Sequence, residues 1–91
     1  MSSTIIAEEL YIEALAKWGP IAQKDMALEE LGELIVALQH CWRGRATHDD
    51  VIEEIADVYI MCDQMSIIFG KDKVQAKKLE KLIRLQKRLN K

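Results

Sequence analysis

Little in this chain interrupts a helix. Its 91 residues include four glycines and one proline, too few turn formers for a many-stranded β sandwich. Aromatic residues make up only 5%. The two cysteines, Cys41 and Cys62, stand apart, with no CxxC pair and no histidine at metal-ligand spacing. That excludes a disulfide scaffold and reads as reduced thiols on helices. Neither GxxxxGK nor GxGxxG occurs, and the chain is too short for a P-loop or Rossmann domain. The best apolar run, Val58 to Phe69, is broken by Asp63 and is too short to span a bilayer. The first twenty residues lack a basic stretch and carry Glu8, Glu9 and Glu13, so a signal peptide is not expected. The expected location is the cytoplasm.

What is present is 49% apolar and 31% charged, the balance of one folded domain spanning residues 1–91. The net charge of −2 hides an asymmetry. Residues 1–70 hold 13 acidic and 4 basic side chains, whereas residues 71–91 hold 2 acidic and 9 basic. Leucines interleave the basic residues, which predicts an amphipathic helix rather than a nucleic-acid-binding tail.

Glycine and proline punctuate four helical segments. The first is expected from Thr4 to Lys17, stopping at Gly19-Pro20. The second runs from about Ile21 to Trp42 and ends at Gly44. Its residues Ala27, Leu31, Leu34, Ile35, Leu38 and Trp42 recur at helical spacing and are expected to face a core. The third opens at Asp50, where Asp50-x-x-Glu53 reads as a capping box, and ends at Gly70. It is expected to turn Ile52, Ile55, Val58, Tyr59, Cys62 and Met65 inward. The fourth begins near Asp72 and uses Leu79, Leu82, Leu85 and Leu89 as its seam. Four helices with short connections predict an all-α, antiparallel four-helix bundle. The third helix is apolar on more than one side, which predicts a homo-oligomer, a dimer in its simplest form.

The chemistry-bearing residues are acids. The second helix carries Glu29-Glu30-Leu31-Gly32-Glu33 and the third Glu53-Glu54-Ile55-Ala56-Asp57. In each, an acid is followed three positions later by another, and i,i+3 residues share a helix face. These carboxylates are expected at the edge of the apolar stripe. Like charges gathered between two helices repel and call for protons or cations. Carboxylate oxygens without Cys or His favour Mg²⁺ or Mn²⁺ over zinc. A di-iron bundle would need Glu-x-x-His, and neither His40 nor His48 has a glutamate three positions earlier. Gly32, in mid-helix, costs about 1 kcal/mol relative to alanine and suggests close approach of a ligand to that turn.

Glu29–Glu33 and, after twenty residues, Glu54-Ile55-Ala56-Asp57 resemble the EExxE…ExxD signature of the MazG-like, all-alpha nucleoside triphosphate pyrophosphohydrolases. Lys17-Trp18-Gly19, Gln23, the Arg43-Gly44 turn, the EEIADVYIMCDQM stretch and the closing KLIRLQKRL extend the likeness over roughly residues 15–90. The resemblance implies Mg²⁺-dependent cleavage of a nucleoside triphosphate to the monophosphate and pyrophosphate. Carried over by position, it makes Glu30, Glu33, Glu54 and Asp57 the metal ligands. Glu33 is the proposed proton acceptor, with Glu29 and Glu53 as alternatives. Lys81 and Arg84 become candidate phosphate contacts. By side-chain chemistry, Trp18 and Trp42 could stack on a nucleobase, and Gln23 could hydrogen-bond a base or a phosphate. A homodimer or homotetramer is expected, with no nucleic acid and no membrane as partner. Two rival readings stand beside this one. One is a related enzyme acting on a phosphoribosyl nucleotide; the other is a non-catalytic helical dimerisation or partner-binding module. A DNA-reading helix beginning at Asp49, Asp50, Glu53 and Glu54 would repel phosphates.

Overall fold

The computed structural model describes residues 5–90 and contains four helices and no strand among them. They are α1 (Ala7–Trp18), α2 (Pro20–Trp42), α3 (His48–Phe69) and α4 (Lys71–Leu89). The fold is all-α, as the sequence predicts. No helix among these residues is long and apolar enough to cross a membrane. Thr4, the expected start of the first helix, lies outside the described residues; α1 begins at Ala7, behind Ile6.

The breaks fall where the backbone must turn. Gly19 (φ 88°) separates α1 from α2, and Gly70 (φ 119°) separates α3 from α4; both angles disfavour any side chain. Pro20 then opens α2 at a position where its missing N–H costs nothing. The start of α3 differs from the sequence-based expectation. Thr47 is the N-cap: its Oγ1 accepts from the Asp50 backbone N–H at 3.2 Å, and the Asp50 carboxylate accepts from the Thr47 N–H at 2.8 Å. The capping box is therefore Thr47/Asp50, three residues ahead of Asp50/Glu53. A hydroxyl cap bonded to the third helical N–H satisfies the same orphan donors one turn earlier.

The chain is organised on the antiparallel pair α2 and α3. Their seam runs along Gln23, Ala27, Glu30, Leu34, Ala37 and Cys41 of α2, against Val51, Glu54, Val58, Met61 and Gln64 of α3, all buried or half-buried. Near the start of α2, Gln23 Nε2 donates to Gln64 Oε1 at 2.6 Å with both side chains buried. Helix α1 packs against both central helices, and α4 packs on α3. The Tyr11 hydroxyl donates to Asp63 (3.3 Å) and Lys71 pairs with Glu8 (3.2 Å), tying α1 to α3 and α4.

The seam is not the one the apolar pattern predicts. Of the expected α2 stripe only Ala27 and Leu34 turn inward, while Leu31, Ile35, Leu38 and Trp42 are exposed. On α3, Val58 and Met65 are half-buried, but Ile52, Ile55, Tyr59 and Cys62 are exposed. The leucines of α4 are exposed as well. Both central helices carry apolar residues on two adjacent stripes, and the pair buries the narrower one. The acids follow from that choice: Glu30 and Glu54 lie in the seam itself rather than at its edge.

Candidate metal centre

Near the middle of the α2–α3 seam, Glu30 and Glu33 come from one helix and Glu54 from the other. One carboxylate oxygen of each lies within 4.8 Å of the others. The i,i+3 spacing on α2 brings Glu30 and Glu33 to one side, and the antiparallel crossing sets Glu54 opposite them. Asp57, one turn beyond Glu54, is half-buried and adds its charge to the same cluster.

The electrostatics are unfavourable as they stand. Oε2 of Glu30 and Oε2 of Glu54 are sealed from solvent, and neither has a hydrogen-bond partner. An acceptor buried without a donor costs about 1–3 kcal/mol. Like charges this close repel one another, and more so where water is excluded. Desolvation, and after it the charges of Glu33, Asp57 and Glu54, push the Glu30 carboxyl up from its ordinary range to about 7. Glu54 is shifted upward for the same reasons, desolvation first and Glu33 next. Both shifts run in the direction that favours holding a proton or a cation at the seam.

The donor set fits a hard divalent cation. It is all carboxylate, with no nitrogen or sulfur ligand, and it includes two sealed oxygens that lack any donor. An open groove of about 720 Å³ runs past the cluster, lined among others by Glu29, Gly32, Glu33, Glu53 and Glu54. Apart from the flanking residues and the backbone of α2 itself, no protein atom lies within 4 Å of the point a Gly32 Cβ would occupy. That turn therefore faces open space, wide enough for a ligand to approach the backbone.

The groove also holds two residues to which the sequence reading gave no role at this site, His40 and Arg45. His40 follows Glu29, Glu33 and Val36 on one helical face, a legible signal. Arg45 reaches the groove from the connection between α2 and α3, which no periodicity reports. The other sequence-predicted contacts lie elsewhere. Gln23 is buried in its pair with Gln64. Trp18 ends α1 with the Lys17 ammonium 5.3 Å from its ring centre. Arg84 sits 3.7 Å from Glu80 on its own helix, and Lys81 lines a surface of α4 with Lys77, Leu82, Leu85 and Arg88. None of these four lines the carboxylate groove.

Comparison with known proteins adds no relative: no family model, no curated protein and no solved structure matches the chain.

Proposed function

We propose that the protein is a Mg²⁺-dependent nucleoside triphosphate pyrophosphohydrolase, with Mn²⁺ able to substitute. The observation that carries this reading is the pair of sealed, unpartnered oxygens on Glu30 and Glu54, set between two helices beside an open groove. A structural core has no use for two such groups facing each other, and a cation-dependent site does. The resemblance of the two acid motifs to the MazG-like signature supports the substrate class.

In this reading Glu30, Glu33, Glu54 and Asp57 hold the metal. A Mg²⁺ ion held by them would supply positive charge against the phosphates and make water easier to deprotonate. Glu33, exposed on the groove wall, accepts the proton of the attacking water. The water oxygen forms a bond to phosphorus, the P–O bond to pyrophosphate breaks, and a nucleoside monophosphate and pyrophosphate leave. Arg45, in the same groove, contributes positive charge toward the leaving phosphates. Lys81 and Arg84 remain second candidates for that role on the strength of the family likeness.

The test is phosphorus NMR of the purified protein with Mg²⁺ and a panel of ribo- and deoxyribonucleoside triphosphates. Pyrophosphate plus the matching monophosphate is the expected result. Orthophosphate plus a diphosphate would refute the proposed cleavage site. Turnover of a phosphoribosyl nucleotide in place of the triphosphates would move the assignment to the related pyrophosphohydrolase.

A further inference from the structure

We propose that the cleft between α1, α3 and α4 binds a free amino acid, held as its zwitterion with an aliphatic side chain. The cleft shares no lining residue with the carboxylate groove. The inference does not depend on the chemistry proposed there.

The cleft follows from how the outer helices pack. Helices α1 and α4 both lie against α3 but, among the described residues, not against each other. Gly70 alone separates α3 from α4 and turns the chain at φ 119°. The space left between α1 and α4 is floored by α3 and holds about 350 Å³, toward the lower end for small-molecule sites. The Glu8–Lys71 ion pair bridges it at 3.2 Å.

Its polar groups are sorted by helix. On the α3 side stand Asp63 and Ser66, and on the α4 side Gln75 and Lys78. Both pairs are spaced i,i+3, so each shares one helix face. Ser66 lies four residues before Gly70 and Gln75 five after it; Asp63 lies seven before and Lys78 eight after. Acceptors on one helix thus stand at matching distances from the turn to donors on the other. The Ser66 hydroxyl donates to the Cys62 carbonyl at 2.9 Å, which leaves its lone pairs free to accept. Asp63 accepts from the Tyr11 hydroxyl at 3.3 Å. Burial, and after it the charge and hydrogen bond of Asp63, push the Tyr11 hydroxyl up, so Tyr11 remains a donor to it. Among the described residues neither Gln75 nor Lys78 has a protein partner for its side chain.

Charge selects the class of ligand. Glu8 and Lys71 neutralise each other. What remains is one carboxylate, Asp63, and one ammonium, Lys78, on different helices and not paired with each other. A simple anion would meet Asp63 and a simple cation would meet Lys78. An apolar guest would strip water from both and replace it with nothing. A molecule that carries both signs close together satisfies both. An α-amino acid does so from a single carbon: its ammonium donates to Asp63 and Ser66, and its carboxylate accepts from Lys78 and Gln75. The third substituent meets Ala7, Ile67 and Val74, the apolar part of the lining, which suits an aliphatic side chain.

Titration of the full chain, free of divalent ions, with a panel of aliphatic and charged L-amino acids tests this, followed by nitrogen-resolved NMR. An aliphatic amino acid should bind with a dissociation constant in the millimolar range or tighter, and the Gln75 side-chain amide should shift as it does. Its N-acetyl derivative lacks the ammonium and its decarboxylated amine lacks the carboxylate. Each should bind about tenfold more weakly, the loss of one charge-assisted contact. Asp63→Asn and Lys78→Met should weaken binding to a similar degree. Lys77→Met, whose side chain pairs with Glu80 outside the cleft, should leave it unchanged. No binding by any member of the panel at millimolar concentration overturns the proposal. So does an N-acetyl derivative that binds as tightly as its parent, or binding that is unchanged in both Asp63→Asn and Lys78→Met.

Discussion

Glu30 of α2 faces Glu54 of α3 across a helical seam, each with one carboxylate oxygen sealed from water and bonded to nothing. Toward the start of α2, Gln23 and Gln64 occupy equivalent seam positions and satisfy each other at 2.6 Å. The same two helices thus hold one polar pair that is complete and one that is not. The incomplete pair is where a ligand changes the energy most.

Glu30 and Glu54 both carry raised carboxyls and should make the protein pH-sensitive when stripped of divalent ions. The Glu30 carboxyl is raised to about 7 from an ordinary 4.5. The folded state therefore holds a proton that the unfolded state has lost between those values, and stability falls as pH rises through that window. Melting temperatures in chelator should decline from pH 5 to pH 7.5. Glu30→Gln should flatten the decline and stabilise the protein at pH 7.5 by about 1 kcal/mol. A profile as steep in the variant as in the parent would refute the assignment.

Divalent cation should reverse that instability. At a concentration one hundred times its dissociation constant, Mg²⁺ should stabilise the fold by about 2.7 kcal/mol, read by calorimetry against chelator. Glu54→Gln removes a ligand charge while keeping volume. It should abolish the Mg²⁺ effect and lower turnover at least ~100-fold, since even residues that only support metal ligands cost 10–100-fold. Circular dichroism should show the helices intact. Full Mg²⁺ stabilisation in this variant would exclude the site.

Arg45 and Arg84 separate two sources of phosphate contact. Arg45 lines the groove and Arg84 does not. Loss of one charge-assisted contact is worth about tenfold, so Arg45→Ala should raise KM by about that factor with kcat less affected. Arg84→Ala should change KM less than about twofold by the same reasoning. The reverse ranking would assign the phosphates to α4.

Gln23 is expected to act on stability rather than turnover. Gln23→Ala leaves the buried Gln64 amide without its partner and should cost about 1–3 kcal/mol in denaturant unfolding. Replacing both by Leu and Met should recover part of that loss, because no orphan remains. A Gln23→Ala protein of unchanged stability but impaired turnover would instead make this residue a substrate contact.

Much of this was legible in the sequence. Gly19-Pro20, Gly44 and Gly70 mark the breaks because positive φ and a missing N–H are local requirements. The pairing of Glu30 with Glu33, and of Glu54 with Asp57, follows from the 3.6-residue period alone. Which apolar stripe turns inward does not. On α2, the Ala27–Leu34 row and the Leu31–Trp42 row lie one residue apart, and local pattern weighs them equally. Only the crossing of α2 with α3 chose the row that carries Gln23, Glu30 and Cys41, leaving the bulkier row exposed. That choice sealed the Glu30 and Glu54 oxygens, and the connection after Gly44 brought Arg45 into the groove that Glu54 lines. The sequence by itself determined the helices and the acids each would present. The tertiary structure decided which acids meet, because burial and charge coupling act between segments that are distant along the chain.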